Sequence, residues 1–143
     1  MAAGKGTRMK SARPKVLHRL AGKSLLQHVL DAVAGLTPMH TLVVTGHGAD
    51  AVEAETHAPG LTFVRQQPQL GTGHAVQQVV PHLAGEGTTL ILNGDVPLIQ
   101  PATAAALAAA SGGTKLALLT IELADATGYG RIVRGGDAGD AVR

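Results

Sequence analysis

The chain has 143 residues and a formal charge of +2, with 12 Lys and Arg against 10 Asp and Glu. This length fits one domain of ordinary size and excludes a large multidomain enzyme. Hydrophobic residues make up 45% of the chain and charged residues 15%, which predicts a folded globular body rather than a disordered one.

Aromatic residues are nearly absent, since Phe63 and Tyr129 are the only two. The core must therefore come from Ala, Val, Leu and Ile, and we expect no nucleic-acid partner because almost no stacking surface for bases is available. The chain has no Cys, which excludes disulfides and cysteine-based zinc sites. No apolar run approaches the roughly 18 residues of a membrane span, so we expect a cytoplasmic protein without membrane insertion.

Helix and strand signals alternate along the chain, which is typical of a mostly parallel α/β sheet flanked by helices. A first helix is predicted at residues 24–35, where apolar residues share one face and a Gly follows. Short apolar runs predict buried strands at 41–45 and 61–64. The other predicted elements are helices at 49–56, 72–83 and 102–110, and strands at 88–92, 115–123 and 131–134.

The predicted sheet is incomplete at both ends. The basic, Gly-rich segment 4–15 has the character of a loop at the carboxyl end of a first strand, where open α/β sheets bind ligands. The three residues before it are too few to form that strand. Residues 131–143 resemble a hairpin whose second strand has barely begun. We therefore expect a domain that is truncated at both ends.

Basic residues concentrate near the N-terminus and indicate an anionic ligand there. Segment 4–8 fits neither the dinucleotide fingerprint, which needs a third Gly where Met9 stands, nor the P-loop motif. A different phosphate site remains possible, because small residues let backbone amides approach phosphates while Lys5, Arg8 and Lys15 neutralise them. A flexible basic loop is the alternative.

Two further segments follow predicted strands and should reach the same sheet edge. In residues 70–74 the backbone amides and the Thr72 hydroxyl could contact a ligand, although an ordinary strand-to-helix turn explains the same residues. Asp95 follows a buried strand where Mg²⁺ bridging phosphates would lie, or it is simply a turn or helix-capping residue. The seven His residues lack ligand spacing, and no G-x-S-x-G motif is present, which argues against a zinc site and a serine hydrolase.

Four motifs in order resemble a known family. Residues 2–9 (AAGKGTRM) with 14–17 (PKVL) are similar to the signature loop of sugar-phosphate nucleotidyltransferases. Together with 69–75 (QLGTGHA), 94–98 (GDVPL) and 127–131 (TGYGR), they resemble bacterial bifunctional N-acetylglucosamine-1-phosphate uridylyltransferase / glucosamine-1-phosphate acetyltransferase. The resemblance covers essentially the whole chain.

The resemblance implies a Rossmann-like fold of the nucleotide-diphospho-sugar transferase type, and it implies residue roles. Arg8 and Lys15 would be catalytic, binding the triphosphate and stabilising charge as pyrophosphate leaves, and Asp95 would ligate Mg²⁺. Asn93 stands where the family often has another residue. The resemblance would place Ala2, Ala3 and Gly4 at the phosphates and ribose, Gln66, Gly71 and Thr72 at the uracil, Asn93, Gly94 and Asp95 at the ribose and diphosphate, and Gly130 at the N-acetylglucosamine.

The implied reaction is in-line attack of N-acetylglucosamine 1-phosphate on the α-phosphorus of UTP. Its products are pyrophosphate and UDP-N-acetylglucosamine, a precursor of peptidoglycan and lipopolysaccharide. Positioning and charge neutralisation need no protein nucleophile, which agrees with the absence of a nucleophile motif. There are two alternatives to this function. The chain could be a non-catalytic nucleotide-binding module, or it could belong to a transferase for another nucleotide or sugar.

The resemblance also implies that some of the family's functional parts lie beyond residue 143. These are a second metal ligand, the remaining sugar contacts, and the left-handed β-helix domain that carries acetyl transfer and trimer formation. We therefore expect residues 1–143 to be a partial nucleotidyltransferase domain with little activity of its own.

Overall fold

A computed structural model describes residues 1–6, 9–83 and 85–132. Its helices are α1 (Leu25–Ala34), α2 (Ala49–Glu55), α3 (Thr72–Gln77) and α4 (Pro101–Ser111). Its strands are β1 (Arg19–Leu20), β2 (Lys23–Ser24), β3 (Thr41–Thr45) and β4 (Leu61–Arg65). Single 3₁₀ turns lie at Lys15–Leu17 and Val80–His82. None of the described helices is long and apolar enough to cross a bilayer.

The central sheet pairs β3 with β4 in parallel, and α2 forms the crossover that parallel neighbours require. Val44 lies opposite Val64, and both are buried. On the other side of β3, Ala2 forms a parallel bridge with Thr45 and its N–H donates to Val44 O at 2.8 Å. The strands predicted at 41–45 and 61–64 are therefore confirmed, with β4 one residue longer. β1 and β2 form a separate antiparallel pair.

The core is aliphatic, as the composition predicts. Leu26 and Leu30 on one face of α1 pack with Val43 of β3 and Val52 of α2. Leu17 and Val52 are completely buried. Helix α1 is confirmed, and it begins where the Ser24 hydroxyl accepts a hydrogen bond from the Gln27 N–H at 3.1 Å.

Three of the predicted helices are confirmed and one is shorter than predicted. Helices α1, α2 and α4 match the predicted 24–35, 49–56 and 102–110 within a residue or two. The helix predicted at 72–83 ends at Gln77, and Val80–His82 forms a 3₁₀ turn instead. Pro81 explains the difference, because proline has no N–H and its ring clashes with the carbonyl four residues earlier in an α-helix.

The strand prediction for 88–92 is wrong, since these residues form no strand. Their only backbone hydrogen bond within the described residues is at the end, where the Met1 amino group donates to Leu92 O at 2.6 Å. Gly94 N–H then donates to Met1 O at 2.8 Å. Residues 88–91 have a strand-forming sequence, but no backbone among the described residues pairs with them, and a strand exists only as part of a ladder.

The strand predicted at 115–123 is wrong for the same reason. No described backbone pairs with residues 116–123, and Leu116 and Ile121 are exposed. Of the strand predicted at 131–134, residues 131 and 132 are irregular, and the rest lies outside the described residues. The hairpin predicted toward residue 143 also lies outside them.

Candidate functional site

A cleft of about 390 Å³ lies at the sheet edge formed by residues 1–6 (the N-terminal segment), the end of β4 and residues 93–95. Most of the residues predicted for the site line it, although they come from three distant parts of the chain. These residues are Ala2, Ala3, Gly4, Lys15, Gln66, Gly71, Thr72, Asn93 and Asp95.

Lys15 and Asp95 form the charged centre of the cleft. Lys15 Nζ lies 2.6 Å from Asp95 Oδ2, and the two side chains are 40% and 34% exposed. The buried side chains of Val16 and Leu17 hold the turn that carries Lys15. Both charged groups are partly exposed, so the ammonium can donate to an anion and the carboxylate can bind a cation.

The N-terminal segment is packed closely around this ion pair. Gly6 has a φ of +58°, and a Cβ at this position would lie 2.9 Å from Lys15 Cβ, so only glycine lets the loop cross here. The pKa of the Met1 amino group is lowered because burial outweighs the attraction of Asp95. The segment thus forms one wall of the cleft beside Asp95.

The residues present fit a Mg²⁺ ion that is completed by its substrate. The described residues contain no cluster of three or more His, Asp or Glu side chains that could enclose a metal. Mg²⁺ is commonly held by one or two carboxylates together with substrate phosphates and water. Asp95, with a partly exposed carboxylate in the cleft, can supply such a ligand.

Gln66 and Gly71, which line the cleft, form a hydrogen-bonded group with His74, which does not line it. Gln66 is 4% exposed, and its backbone N–H extends the sheet by donating to Thr45 O at 2.8 Å. Its Nε2 lies 2.9 Å from Gly71 O and 3.1 Å from His74 Nδ1. The site prediction did not include His74, although it stands within the motif 69–75.

A second residue that sequence reasoning missed is Gly46, which follows β3. A Cβ at Gly46 would lie 3.0 Å from Ala3 O and 2.6 Å from Gln69 Nε2. Glycine therefore allows the N-terminal segment and the loop after β4 to approach the same point. The position of Gly46 directly after a buried strand is the signal that could have identified it.

The remaining predicted residues lie elsewhere. Gly94 packs beneath the N-terminal segment, since a Cβ there would be 3.0 Å from Met1 O, and it does not line the cleft. Gly130 is exposed and also does not line it. Lys5 lines a neighbouring cavity of about 270 Å³ with Arg65 and Gln69. Arg8 lies outside the described residues.

Comparison with known proteins places this site in a family. The model of the MobA-like NTP transferase domain matches residues 1–127. Among curated relatives, Bifunctional protein GlmU of Methylibium petroleiphilum is 67% identical over 141 residues, which are 96% of this chain and 31% of that protein. Bifunctional protein GlmU of Azoarcus sp. (strain BH72) is 55% identical over 143 residues, which are 100% of this chain and 31% of that protein. The chain thus spans about a third of the length of these relatives.

A solved structure agrees with the assignment. A nucleotidyl transferase from Methanothermobacter thermautotroptrophicus (Mth528) is 29% identical, with a TM-score of 0.67, over 76% of this chain and 54% of that one. The predicted α/β fold of the nucleotidyltransferase type is confirmed by this similarity, and the resemblance carried by the four motifs is confirmed by the curated relatives. The chain belongs to the MobA-like NTP transferase domain family.

Proposed function

We propose that this chain is the nucleotide-binding part of an enzyme that transfers a uridylyl group from UTP to N-acetylglucosamine 1-phosphate. The products would be UDP-N-acetylglucosamine and pyrophosphate. One observation carries the proposal: Lys15, Gln66 and Asp95, which come from three distant parts of the chain, line a single cleft. The relatives named Bifunctional protein GlmU support it, because they align with 96% and 100% of this chain at 67% and 55% identity.

The cleft suits catalysis by positioning and charge neutralisation. The Lys15 ammonium has three donors, so it can turn from Asp95 to a phosphate oxygen while Asp95 becomes available to hold Mg²⁺. Bound Mg²⁺ would neutralise charge on the phosphates. Ala2, Ala3 and Gly4 line the same cleft as this pair, and their backbone would contact the ribose and phosphates.

Other parts of the proposal depend on the motif resemblance. Gln66, Gly71 and Thr72 would hold the uracil, and Asn93 and Gly94 the ribose and diphosphate. Arg8 would bind the triphosphate, and Gly130 the N-acetylglucosamine. A longer protein of this family would add a second metal ligand, further sugar contacts and a β-helix domain for acetyl transfer and trimer formation, and it would act in the cytoplasm in cell-wall precursor synthesis.

Calorimetric titration of the chain with UTP, with and without Mg²⁺, tests the binding part of the proposal. We expect Mg²⁺ to strengthen UTP binding to the unaltered chain. Asp95→Asn should abolish the Mg²⁺ effect, and Lys15→Met should weaken UTP binding by about tenfold or more, because a charge-assisted hydrogen bond is lost. The proposed site would be contradicted if both variants bound UTP as tightly as the unaltered chain and Mg²⁺ had no effect on binding.

The chain offers a matched control for these variants. Lys23 and Asp31 form an exposed ion pair on β2 and α1, and neither residue lines the cleft. Lys23→Met and Asp31→Asn should therefore leave UTP binding unchanged. Catalysis is tested separately, with a version extended to the length of the relatives and supplied with UTP, Mg²⁺ and N-acetylglucosamine 1-phosphate. UTP binding without pyrophosphate release in that version would favour a non-catalytic nucleotide-binding module.

A further inference from the structure

The side-chain amide of Gln66 is held in one orientation. Its Nε2 lies 2.9 Å from Gly71 O, and a carbonyl oxygen can only accept a hydrogen bond, so the nitrogen must face Gly71. The second hydrogen of the same nitrogen points to His74 Nδ1 at 3.1 Å. No donor among the described residues reaches Gln66 Oε1. The Gln66 side-chain oxygen can therefore accept a hydrogen bond from a ligand.

The orientation of Gln66 also determines the protonation of the His74 ring. A neutral imidazole has one bare nitrogen, and Gln66 requires it to be Nδ1, so the ring proton lies on Nε2. Gln78 Nε2 stands 3.1 Å from His74 Nε2, and the two amides cannot both donate to a neutral ring. We expect Gln66 to be the donor, because Gly71 O holds its nitrogen at 2.9 Å, whereas the nitrogen of Gln78 has only a longer contact of 3.3 Å with His74 O.

We propose that His74 is a positioning residue for base specificity: by accepting at Nδ1 it keeps the Gln66 oxygen available to select a pyrimidine with a ring N–H. Uracil carries a hydrogen on N3, whereas cytosine has a lone pair there. Once a base covers the Gln66 oxygen, an acceptor facing that lone pair is left unpaired, which is the arrangement by which polar sites reject near-isosteric ligands. This proposal rests on the proposed function, because it concerns which base the same cleft takes.

The tautomer provides a direct test that needs no ligand. Long-range ¹H–¹⁵N correlation spectra of the unaltered chain distinguish a protonated ring nitrogen from a bare one. We expect His74 to show a bare Nδ1 and a protonated Nε2 at a pH where the ring is neutral. A proton on Nδ1 would overturn the proposal, since that nitrogen could not accept from Gln66.

Titrations with UTP and CTP in the presence of Mg²⁺ test the consequence. We expect the unaltered chain to bind UTP more tightly than CTP. His74→Leu removes the acceptor and should reduce the UTP preference by about tenfold. His74→Asn should retain the preference, because the Asn oxygen can accept near the former Nδ1 position, and this rescue separates hydrogen bonding from packing. His82 in the 3₁₀ turn is exposed and outside the cleft, so His82→Leu is the matched control.

The outcomes separate this proposal from the proposed function. If UTP is bound with the same preference over CTP in His74→Leu and the unaltered chain, the role of His74 is wrong and the uridylyl-transfer proposal stands. If the unaltered chain binds neither nucleotide, both are overturned. Circular dichroism of each variant verifies its fold. The ¹H–¹⁵N correlation spectrum of the unaltered chain tests the tautomer even where a variant does not fold.

Discussion

Glu53 illustrates how one side chain joins helix α2 to both strands of the sheet. Its Oε1 accepts from the Thr45 hydroxyl and from Arg65 Nε, each at 2.9 Å, and its Oε2 accepts from Arg65 Nη2 at 2.8 Å. Thr45 is completely buried, so its hydroxyl depends on this acceptor. The hydrogen bond from Arg65, followed by that from Thr45, lowers the pKa of Glu53.

Two substitutions of Glu53 should differ in their effect on the free energy of unfolding. Glu53→Ala leaves the buried Thr45 hydroxyl unpaired and should cost about 1–3 kcal/mol. Glu53→Gln keeps an oxygen for Thr45 and loses only a partly exposed ion pair with Arg65, which should cost about 1 kcal/mol or less. Urea denaturation at neutral pH measures both values. Equal destabilisation by the two variants would show that Thr45 does not depend on this acceptor.

The lowered pKa of Glu53 also predicts a pH dependence of stability. The charged carboxylate stabilises the folded chain above its ordinary pKa of 4.5, and this contribution is lost as the pH falls through the lower folded-state value. The unaltered chain should therefore lose more stability than Glu53→Gln when acidified below 4.5. Carboxylates that do not share Arg65 with Glu53 should titrate equally in both proteins. The difference between their denaturation midpoints therefore reports on Glu53 together with Asp50, which binds the same guanidinium. Parallel loss of stability in both would contradict the prediction.

Among the elements, β3 ends where the chain passes so close to Ala3 that no side chain fits. Gly46 follows β3, and the Ala3 oxygen and Ala3 Cβ would each lie 3.0 Å from an added Cβ. Neither atom can rotate away, because one belongs to the backbone and the other is bonded directly to it. Steric crowding, not backbone conformation, therefore requires glycine here, since Gly46 does not have a positive φ.

Gly46→Ala should destabilise the chain by about 1–3 kcal/mol, as expected for overpacking at a site that cannot yield. It should also weaken UTP binding, because Ala3 lines the cleft. Gly73→Ala is the matched control: nothing lies within 4 Å of a Cβ there, and within α3 alanine should stabilise by up to about 1 kcal/mol. Thermal denaturation compares the two. A Gly46→Ala protein as stable as the unaltered chain would disprove the close approach.

At the scale of the whole molecule, burial is concentrated in the first half of the chain. Among the described residues after Ala75, Ala104 is the only buried hydrophobic side chain. Leu116, Leu119 and Ile121 are 85%, 61% and 77% exposed, and they lie close together in sequence. Exposed apolar residues that cluster in this way promote association, whereas isolated ones generally do not.

We therefore expect the chain to bind an apolar fluorescent dye and to associate as its concentration increases. Replacing Leu116, Leu119 and Ile121 with Ser should reduce both effects. Met39 is 83% exposed on its own, so Met39→Ser should change neither. Dye fluorescence and sedimentation velocity over a range of concentrations provide the measurements. Association that is unaffected by the triple substitution would show that another surface is responsible.

Local sequence was sufficient for the elements whose stability depends on neighbours in the chain. Ser24 and the apolar face of α1 identified the first helix, since capping and helical periodicity operate within a few residues. The strands at 41–45 and 61–64 were predicted from short apolar runs, and Val43, Val44 and Val64 within them are buried. The motifs similarly identified the family and most residues that line the cleft.

Tertiary structure decided which backbones pair and which side chains touch. Residues 88–92 have the composition of a buried strand, but strand formation depends on hydrogen bonds to another backbone, which no local pattern can guarantee. The 2.6 Å ion pair of Lys15 with Asp95, 80 positions away, and the contact between Gln66 and His74 arise from folding the chain. Sequence by itself therefore determined the chemical groups and their local elements, whereas the fold determined their partners, because hydrogen bonds and ion pairs depend on distance in space.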